Sequence, residues 1–307
     1  MAVVFPGQGS QRPGMAKDFF DRFACARDAF AEASDALGLD VAALCFEEDP
    51  RLDRTEFTQP AILTAEVAMT RALAELGLAP AWFGGHSLGE YTALCAAGVL
   101  PLGEAARLVR RRGALMQEAA PEGAGAMLAV IAQGIAEGDL AAMLAGLDVD
   151  VANKNSPEQV VLSGPTAAID AAAARLEERF AGTEHEVVRL NVSAPFHSRM
   201  MRPMEPALRA ALEAAPLEAE RARRVTSNFT GGFHDGTRAG LVDALVRQAS
   251  GDVDWVANMR ALAKVATSIY EVGPNRPLAK FFRSIGVEAT PILNVRAAEK
   301  ALAGGAK

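Results

Sequence analysis

Short apolar runs and stretches of helical spacing alternate along this chain. Runs rich in β-branched and aromatic residues that end at turn signals are typical of buried strands in a parallel sheet. Such strands are predicted at 2–5, 81–83, 225–228 and 268–272. Because helical patterns lie between them, strands and helices alternate, as they do when helices cover a parallel sheet. The pattern therefore predicts an α/β fold.

Several longer stretches have hydrophobic residues at helical spacing, with ordinary start and stop signals. These helices are predicted at 18–37, 59–76, 88–97, 102–119, 241–250 and 255–263. We expect the helix at 59–76 to begin at Pro60, and a turn at 273–275 to precede the last helix. The segment 301–307 is rich in Ala, Gly and Lys, and we predict that it is a disordered tail.

The middle of the chain has a different order of elements. Strands are predicted at 126–132, 149–152, 159–162 and 185–192, and helices at 139–147 and 166–180. The resulting β-α-β-β-α-β order is that of a ferredoxin-like unit. We therefore expect a small subdomain at 124–191, inserted into a larger one formed by 1–123 and 192–300.

The sequence Gly85-His86-Ser87-Leu88-Gly89 matches the G-x-S-x-G nucleophile elbow. In that motif a serine lies on a strained turn between a strand and a helix, which are the elements predicted on either side. Ser87 is therefore the candidate nucleophile. Acyl transfer at a serine needs an oxyanion hole, made by the N–H after the nucleophile and another from a strand–helix loop.

The glycine-rich turn after the first strand offers the second of these N–H groups. Leu88 and Gln8 are thus the candidate donors to an oxyanion, unless the turn at Gln8 is flexible and has no chemical role. The same turn lacks the third glycine of a dinucleotide-binding loop, because Arg12 stands there.

Arg112 lies on the inward-facing stripe of the helix at 102–119, where a leucine would be expected. At ~3.6 residues per turn, Arg110 and Arg111 point toward solvent. A buried guanidinium needs an anionic partner. The sequence leaves two partners open, an internal Asp or Glu, or the carboxylate of a substrate. The second would make this an enzyme for acyl groups that carry a free acid.

A serine nucleophile also needs a general base, and the chain has four histidines. His86 adjoins Ser87, but consecutive residues entering a turn point apart. His185 and His234 are predicted at the surface. His197 lies where the inserted unit returns to the larger one, just ahead of a helix, and is the candidate base.

Composition and charge limit which classes of partner and which cellular location we expect. With 31 Lys+Arg against 38 Asp+Glu the chain is mildly acidic and has no aromatic-interleaved basic stretch, so no nucleic acid is expected. No window approaches ~20 apolar residues, and the first six residues are too short and uncharged for a signal peptide, so we expect no membrane and a cytoplasmic location. Three widely spaced cysteines predict free thiols and no metal site.

Several motifs together carry a family resemblance. They lie at 5–11, 59–61, 85–91, 117–123, 155–157, 196–197 and 271–274. Over essentially its whole length, the chain resembles malonyl-CoA:acyl carrier protein transacylases, including the related acyltransferase domains of polyketide synthases. The resemblance implies an α/β-hydrolase-like core with a parallel sheet and an inserted ferredoxin-like subdomain. It also implies transfer of malonyl from malonyl-CoA to the phosphopantetheine thiol of an acyl carrier protein. We expect a monomer that needs no metal or redox cofactor for this reaction.

The same resemblance implies roles for particular residues. Ser87 would be the nucleophile and His197 its base, with Gln8 and Leu88 as the oxyanion hole. Arg112 would bind the malonyl carboxylate. The main-chain carbonyl of Gln248 would orient His197, and Phe196 would leave little room for an α-methyl branch. Further supporting positions are His86, Met116 and Asn155.

Two other functions remain open at this level. The same elbow serves esterases and thioesterases, in which water takes the acyl group. A non-catalytic subunit that only docks the carrier protein is the other alternative. Whether the carrier protein belongs to fatty-acid or polyketide synthesis is also left open.

Overall fold

The computed structural model describes residues 1–121 and 123–303. Its strands are β1 (Ala2–Phe5), β2 (Trp82–Gly85), β3 (Gly125–Ala132), β4 (Asp150–Ser156), β5 (Gln159–Pro165), β6 (His185–Arg189), β7 (Val253–Asp254), β8 (Ile269–Val272) and β9 (Ala289–Ile292). They form two sheets.

The α-helices lie before, between and after these strands. They are α1 (Lys17–Arg22), α2 (Ala24–Leu37), α3 (Val41–Phe46), α4 (Thr55–Glu75), α5 (Leu88–Ala96), α6 (Leu102–Ala119), α7 (Leu140–Met143), α8 (Thr166–Phe180), α9 (Glu205–Ala214), α10 (Arg238–Ser250), α11 (Trp255–Val265), α12 (Pro277–Ser284) and α13 (Val295–Ala303). Short 3₁₀ helices lie at Pro50–Asp53, Arg199–Met204 and Ala219–Arg224.

The first sheet is parallel throughout, in the order β2-β1-β8-β9. Every residue of β1 is buried, because helices pack on both of its faces. Val3 and Phe5 belong to the core under α4 and α5, whereas Ala2 and Val4 pack with the core that contains Trp255. A strand buried on both faces is apolar at every position, which is why β1 was recognisable in the sequence.

The second sheet has the order β6-β3-β5-β4-β7. Its first four strands are antiparallel neighbours, in the order of a ferredoxin-like unit. β7 comes from a later part of the chain and pairs in parallel with β4, where Lys154 lies opposite Asp254. Lys154 also forms an ion pair with Asp252 at 2.9 Å. The predicted fold class, a parallel α/β core with a ferredoxin-like unit, is confirmed.

The early helices differ from the prediction. The single helix expected at 18–37 is two helices, because Phe23 has an extended backbone (φ −111°, ψ 130°) and separates α1 from α2. The helix expected to begin near Pro60 begins at Thr55, so Pro60 lies in its second turn. A proline is compatible with helical φ and removes one hydrogen bond, so it did not mark the start.

Three further predictions need correction. Residues 225–228 form no strand, since Val225 and Thr226 make only isolated bridges to Phe83 and Phe233. A helix, a strand and a second helix follow the turn at 273–275, where one helix was expected. The tail predicted from Ala301 starts as the end of α13, because Ala301 and Leu302 pack against the core. Residues 304–307 lie outside the described part.

No helix among the described residues is long and apolar enough to cross a bilayer.

Two carboxyl groups that are buried beside the parallel sheet have a raised pKa. Glu66 on α4 accepts a hydrogen bond from the Thr92 hydroxyl at 2.6 Å, and its other oxygen has no partner. Glu271 on β8 accepts the N–H groups of Leu278 and Ala279 at the start of α12. Burial raises the pKa of Glu66 well above its ordinary value and the pKa of Glu271 to about 7.

Glu66→Gln should change how stability depends on pH. A raised folded-state pKa means that the folded chain keeps a proton which the unfolded chain has lost, so this contribution to stability is lost as pH rises above about 4.5. Between about pH 4.5 and the raised pKa of Glu66, the free energy of unfolding of the wild type, relative to that of the variant, should fall by about 1.4 kcal/mol for each pH unit.

Urea unfolding of both proteins at about pH 5 and about pH 8 measures this difference. Glu75→Gln, at the exposed end of the same helix, is the control for a charge lost at the surface. A Glu66→Gln effect of equal size at both pH values would contradict the prediction.

Candidate active site

Ser87 lies on a sharp turn between β2 and α5, with φ 53° and ψ −103°. A non-glycine residue with positive φ is strained, and such strain persists only where neighbours hold the backbone in place. Asn228 Oδ1 accepts the Ser87 N–H at 2.6 Å, and the Ser87 carbonyl accepts from Gln248 Nε2 at 2.9 Å. A Cβ on Gly85 would lie 1.9 Å from the main chain of Gly89, and a Cβ on Gly89 would lie 2.2 Å from the Phe5 carbonyl oxygen, which explains both motif glycines.

The Ser87 hydroxyl and the His197 imidazole are in hydrogen-bond contact. Ser87 Oγ lies 2.7 Å from His197 Nε2, and His197 Nδ1 lies 2.7 Å from the main-chain oxygen of Gln248. A carbonyl oxygen can only accept, so Nδ1 carries the proton and Nε2 is free to accept from the serine. This is the tautomer that a general base needs. Within the described chain no carboxylate contacts the imidazole.

The surroundings of His197 favour its neutral form. Burial, and next the charge of Arg112, lower the pKa of His197 to about 3. The backbone is strained here as well, with φ 56°. The imidazole is therefore already unprotonated at neutral pH and can take a proton from the hydroxyl without first losing one.

Arg112 lies beside the same hydroxyl and is 1% exposed. One of its terminal nitrogens donates to Gln59 Oε1 at 2.9 Å. The other donates to Gln248 Oε1 at 2.8 Å and to Ser87 Oγ at 3.1 Å. The predicted burial of this side chain is confirmed, and so is the outward direction of Arg110 and Arg111, whose side chains are 33% and 51% exposed.

The hydrogen bonds of Arg112 are all to neutral oxygens. In the part of the chain that the structure describes it forms no ion pair, and its Nε has no hydrogen-bond partner. Of the two partners that the sequence left open, an internal acid is thus not in contact. A full positive charge faces the nucleophile in a buried setting, which favours an anion at that position.

The candidate oxyanion donors lie at the same cavity. This cavity has a volume of about 840 Å³, and Gln8, Leu88, Met116 and Phe196 line it together with Ser87, His197 and Arg112. Leu88 is the first residue of α5, so its N–H has no acceptor inside the helix. Gln8 follows Gly7, where a Cβ would lie 2.5 Å from the His86 carbonyl, so its turn approaches the elbow closely.

The remaining predicted residues support this arrangement from outside the reacting groups. His86 Nε2 lies 2.8 Å from Asn155 Oδ1, which joins the elbow to β4. The Met116 sulfur accepts from Gln59 Nε2 at 3.5 Å, so the other end of that amide faces Arg112. The structure therefore brings every predicted site residue to the cavity or to a residue that lines it.

Sequence reasoning missed a buried polar network behind the serine. His234, predicted at the surface, is 5% exposed, and its Nε2 lies 2.9 Å from Glu90 Oε1. The prediction failed because the turn that carries His234 folds inward, with Ser227 N–H bonded to the Gly232 carbonyl. Asn228 donates to the Gly85 carbonyl at 2.8 Å.

Some of these residues left a signal in the sequence. Glu90 is the one charged residue of α5, and a lone charge on an apolar helix points to a buried role. Gln59 lies directly before Pro60 and the apolar run at 61–63 on α4. Nothing in the local sequence distinguishes Asn228.

The chain is similar to known proteins over most of its length. The acyl transferase domain family matches residues 2–273. The chain is 39% identical over 292 residues to the malonyl CoA-acyl carrier protein transacylase of Escherichia coli (strain K12), covering 92% of each. It is similar to the crystal structure of malonyl-CoA:acyl carrier protein transacylase from Xanthomonas oryzae pv. oryzae (TM-score 0.91, 42% identity, 99% and 97% covered). The chain is also similar to a solved structure of a type II polyketide acyl-carrier protein in complex with its malonyl-transacylase (TM-score 0.88, 36% identity, 99% of each chain covered).

The low pKa of His197 predicts how Ser87 reactivity depends on pH. The rate of inactivation by phenylmethylsulfonyl fluoride should be flat between about pH 5 and about pH 7, because the base stays neutral until the pH approaches its lowered pKa. An unperturbed histidine would lose reactivity below about pH 6.5. The rate is measured by intact-protein mass spectrometry as formation of the sulfonyl adduct with time, with His197→Ala as the unreactive control. A midpoint near that of an unperturbed histidine would contradict the assignment.

Proposed function

This chain belongs to the acyl transferase domain family, and we propose that Ser87 and His197 carry out its reaction. The enzyme transfers the malonyl group of malonyl-CoA to the phosphopantetheine thiol of an acyl carrier protein. The transfer has two steps, with a malonyl ester on Ser87 between them. It supplies extender units for fatty-acid or polyketide synthesis.

One observation supports these roles most directly. The Ser87 hydroxyl contacts both a neutral imidazole and a guanidinium that no carboxylate of the described residues contacts directly. The imidazole can take the hydroxyl proton whichever acyl group is transferred. The guanidinium, placed 3.1 Å from the same oxygen, distinguishes acyl groups that end in a carboxylate.

In the first step Ser87 Oγ attacks the thioester carbon of malonyl-CoA while His197 Nε2 takes the hydroxyl proton. The N–H groups of Gln8 and Leu88 bind the oxyanion, and Arg112 binds the far carboxylate. The tetrahedral intermediate then collapses, the carbon–sulfur bond breaks, and the CoA thiolate leaves with the proton held by His197. Malonyl-Ser87 and free CoA are the products.

In the second step the carrier protein's thiol loses its proton to His197, and its sulfur attacks the ester carbon. The same donors bind the oxyanion, and the bond to Ser87 Oγ breaks as His197 returns the proton. These steps need only groups of this chain, so we propose no metal or cofactor. One chain supplies the whole site, which supports a monomer. Free cysteines are usual in the cytoplasm, which we propose as the location.

The covalent intermediate provides the first test. After mixing with malonyl-CoA, intact-protein mass spectrometry should show one added malonyl group, located by peptide mapping on Ser87. Ser87→Ala should show none. Adding an acyl carrier protein should then move the group to its thiol. Release of free malonate without transfer would indicate a hydrolase, and absence of any adduct would contradict the catalytic proposal.

Arg112→Ala should change acyl preference more than reactivity. Each hydrogen bond of a guanidinium to a carboxylate contributes about 1.5 to 3 kcal/mol, so preference for malonyl-CoA over acetyl-CoA should fall by roughly 10- to 100-fold. The ratio of kcat/KM for the two thioesters measures this. Arg111→Ala is the matched control, because it removes a neighbouring guanidinium whose side chain is 51% exposed. Unchanged preference in Arg112→Ala would show that this side chain does not bind the carboxylate.

A further inference from the structure

The Gln248 side chain bridges the Arg112 guanidinium and the buried carboxyl group of Glu90. Its Oε1 accepts from Arg112 at 2.8 Å, while its Nε2 donates to Glu90 Oε2 at 2.9 Å. The orientation of the amide is fixed, because a guanidinium can only donate and its carbonyl oxygen must face it. One neutral carboxamide therefore lies between a buried positive group and a buried carboxyl group.

Glu90 is completely buried and has three polar neighbours. Oε2 accepts from Gln248 and also from the Asn228 N–H at 3.0 Å, and both of these groups can only donate. Oε1 faces His234 Nε2 at 2.9 Å. The carboxyl group is thus arranged as an acceptor of hydrogen bonds, as a carboxylate is.

Other groups around Arg112 do not supply a counter-charge. The Tyr91 ring stacks under the guanidinium at 5.2 Å, but burial raises the pKa of Tyr91 to about 12, so its hydroxyl is neutral. His197 and His86 are the other titratable groups nearby, and burial lowers the pKa of each, so both are neutral. Glu90 is then the buried carboxyl group nearest in the network, separated from Arg112 by the single carboxamide of Gln248.

We propose that Glu90 is the internal counter-charge of Arg112, held away from it by the Gln248 carboxamide, and that this spacing sets how strongly the site binds the malonyl carboxylate. An acid in direct contact would occupy the guanidinium and exclude the substrate. With no acid nearby, the guanidinium would bind the carboxylate more tightly. Glu90 and Gln248 are thus specificity-determining residues, and the inference rests on the malonyl transfer proposed above.

Two variants should shift specificity in opposite directions. Glu90→Gln removes the counter-charge and keeps the shape, so the ratio of kcat/KM for malonyl-CoA to that for acetyl-CoA should rise by roughly tenfold. Gln248→Glu puts a carboxylate in contact with Arg112 and leaves the main-chain carbonyl at His197 in place. In that variant the ratio should fall by roughly tenfold or more. Free malonate, used as a competitive inhibitor, should bind more tightly to the first variant and more weakly to the second.

Controls separate this from a merely structural role. His234→Asn disturbs the same network but keeps the Glu90 carboxylate, and Glu66→Gln removes another fully buried carboxyl group. Both should keep the malonyl-to-acetyl ratio within about threefold of the wild type, well inside the tenfold shift expected from a nearby charge. Thermal unfolding of each variant reports whether it is folded. If Glu90→Gln does not fold, the result for Gln248→Glu decides.

The outcomes are distinct. Opposite shifts in the ratio support the proposal. A ratio that is unchanged in folded variants, or that moves in the same direction in both, overturns it. A general loss of packing would slow both thioesters alike and leave the ratio unchanged. Failure of the wild type to form malonyl-Ser87 would instead contradict the proposed function, whereas this inference alone fails when the wild type transfers malonyl normally.

Discussion

A buried guanidinium without a carboxylate in contact constrains the rest of this site. Arg112 is 1% exposed, and its described partners are the side-chain oxygens of Gln59, Gln248 and Ser87. Burial of an unpaired charge is costly, so these oxygens must come close from three different elements. α4 supplies the first, α10 the second and the elbow the third. The packing of those elements around α6 is therefore needed for the chemistry of the site as well as for the stability of the fold.

Strain marks the two residues that react. Three non-glycine residues of the described chain have positive φ, and two of them are Ser87 and His197. Such conformations cost of order 1 to 3 kcal/mol each and persist where the surroundings fix them. Asn228 and Gln248 provide that support at Ser87, through its N–H and its carbonyl. The hydroxyl is thus held against the imidazole before any substrate arrives, which lowers the cost of reaching the transition state.

The sequence predicted the parts of this molecule that depend on local patterns. β1, α6 and α8 were recognisable because apolar spacing decides them, and Arg112 because it interrupts such spacing. Partners that depend on tertiary packing were not recognisable. Asn228 lies 141 residues from Ser87 in sequence, and His234 lies 144 residues from Glu90. The carbonyl of Gln248 acts through the main chain, which any residue has, so only the family resemblance pointed to it.

The same electrostatic constraint explains why a carbonyl, and no acid, orients His197. An aspartate at that position would hold the same tautomer, as it does in a serine–histidine–aspartate triad. Gln248, whose carbonyl orients His197, also contacts Arg112 through its side chain, so such an aspartate would lie close to the guanidinium. It would pair with Arg112, or weaken its attraction for a substrate carboxylate, because charges interact strongly at short range in a buried site. The Gln248 carbonyl accepts the Nδ1 proton at 2.7 Å without adding charge. Neutral orientation of the base and a guanidinium free to bind a substrate anion are thus two consequences of one arrangement.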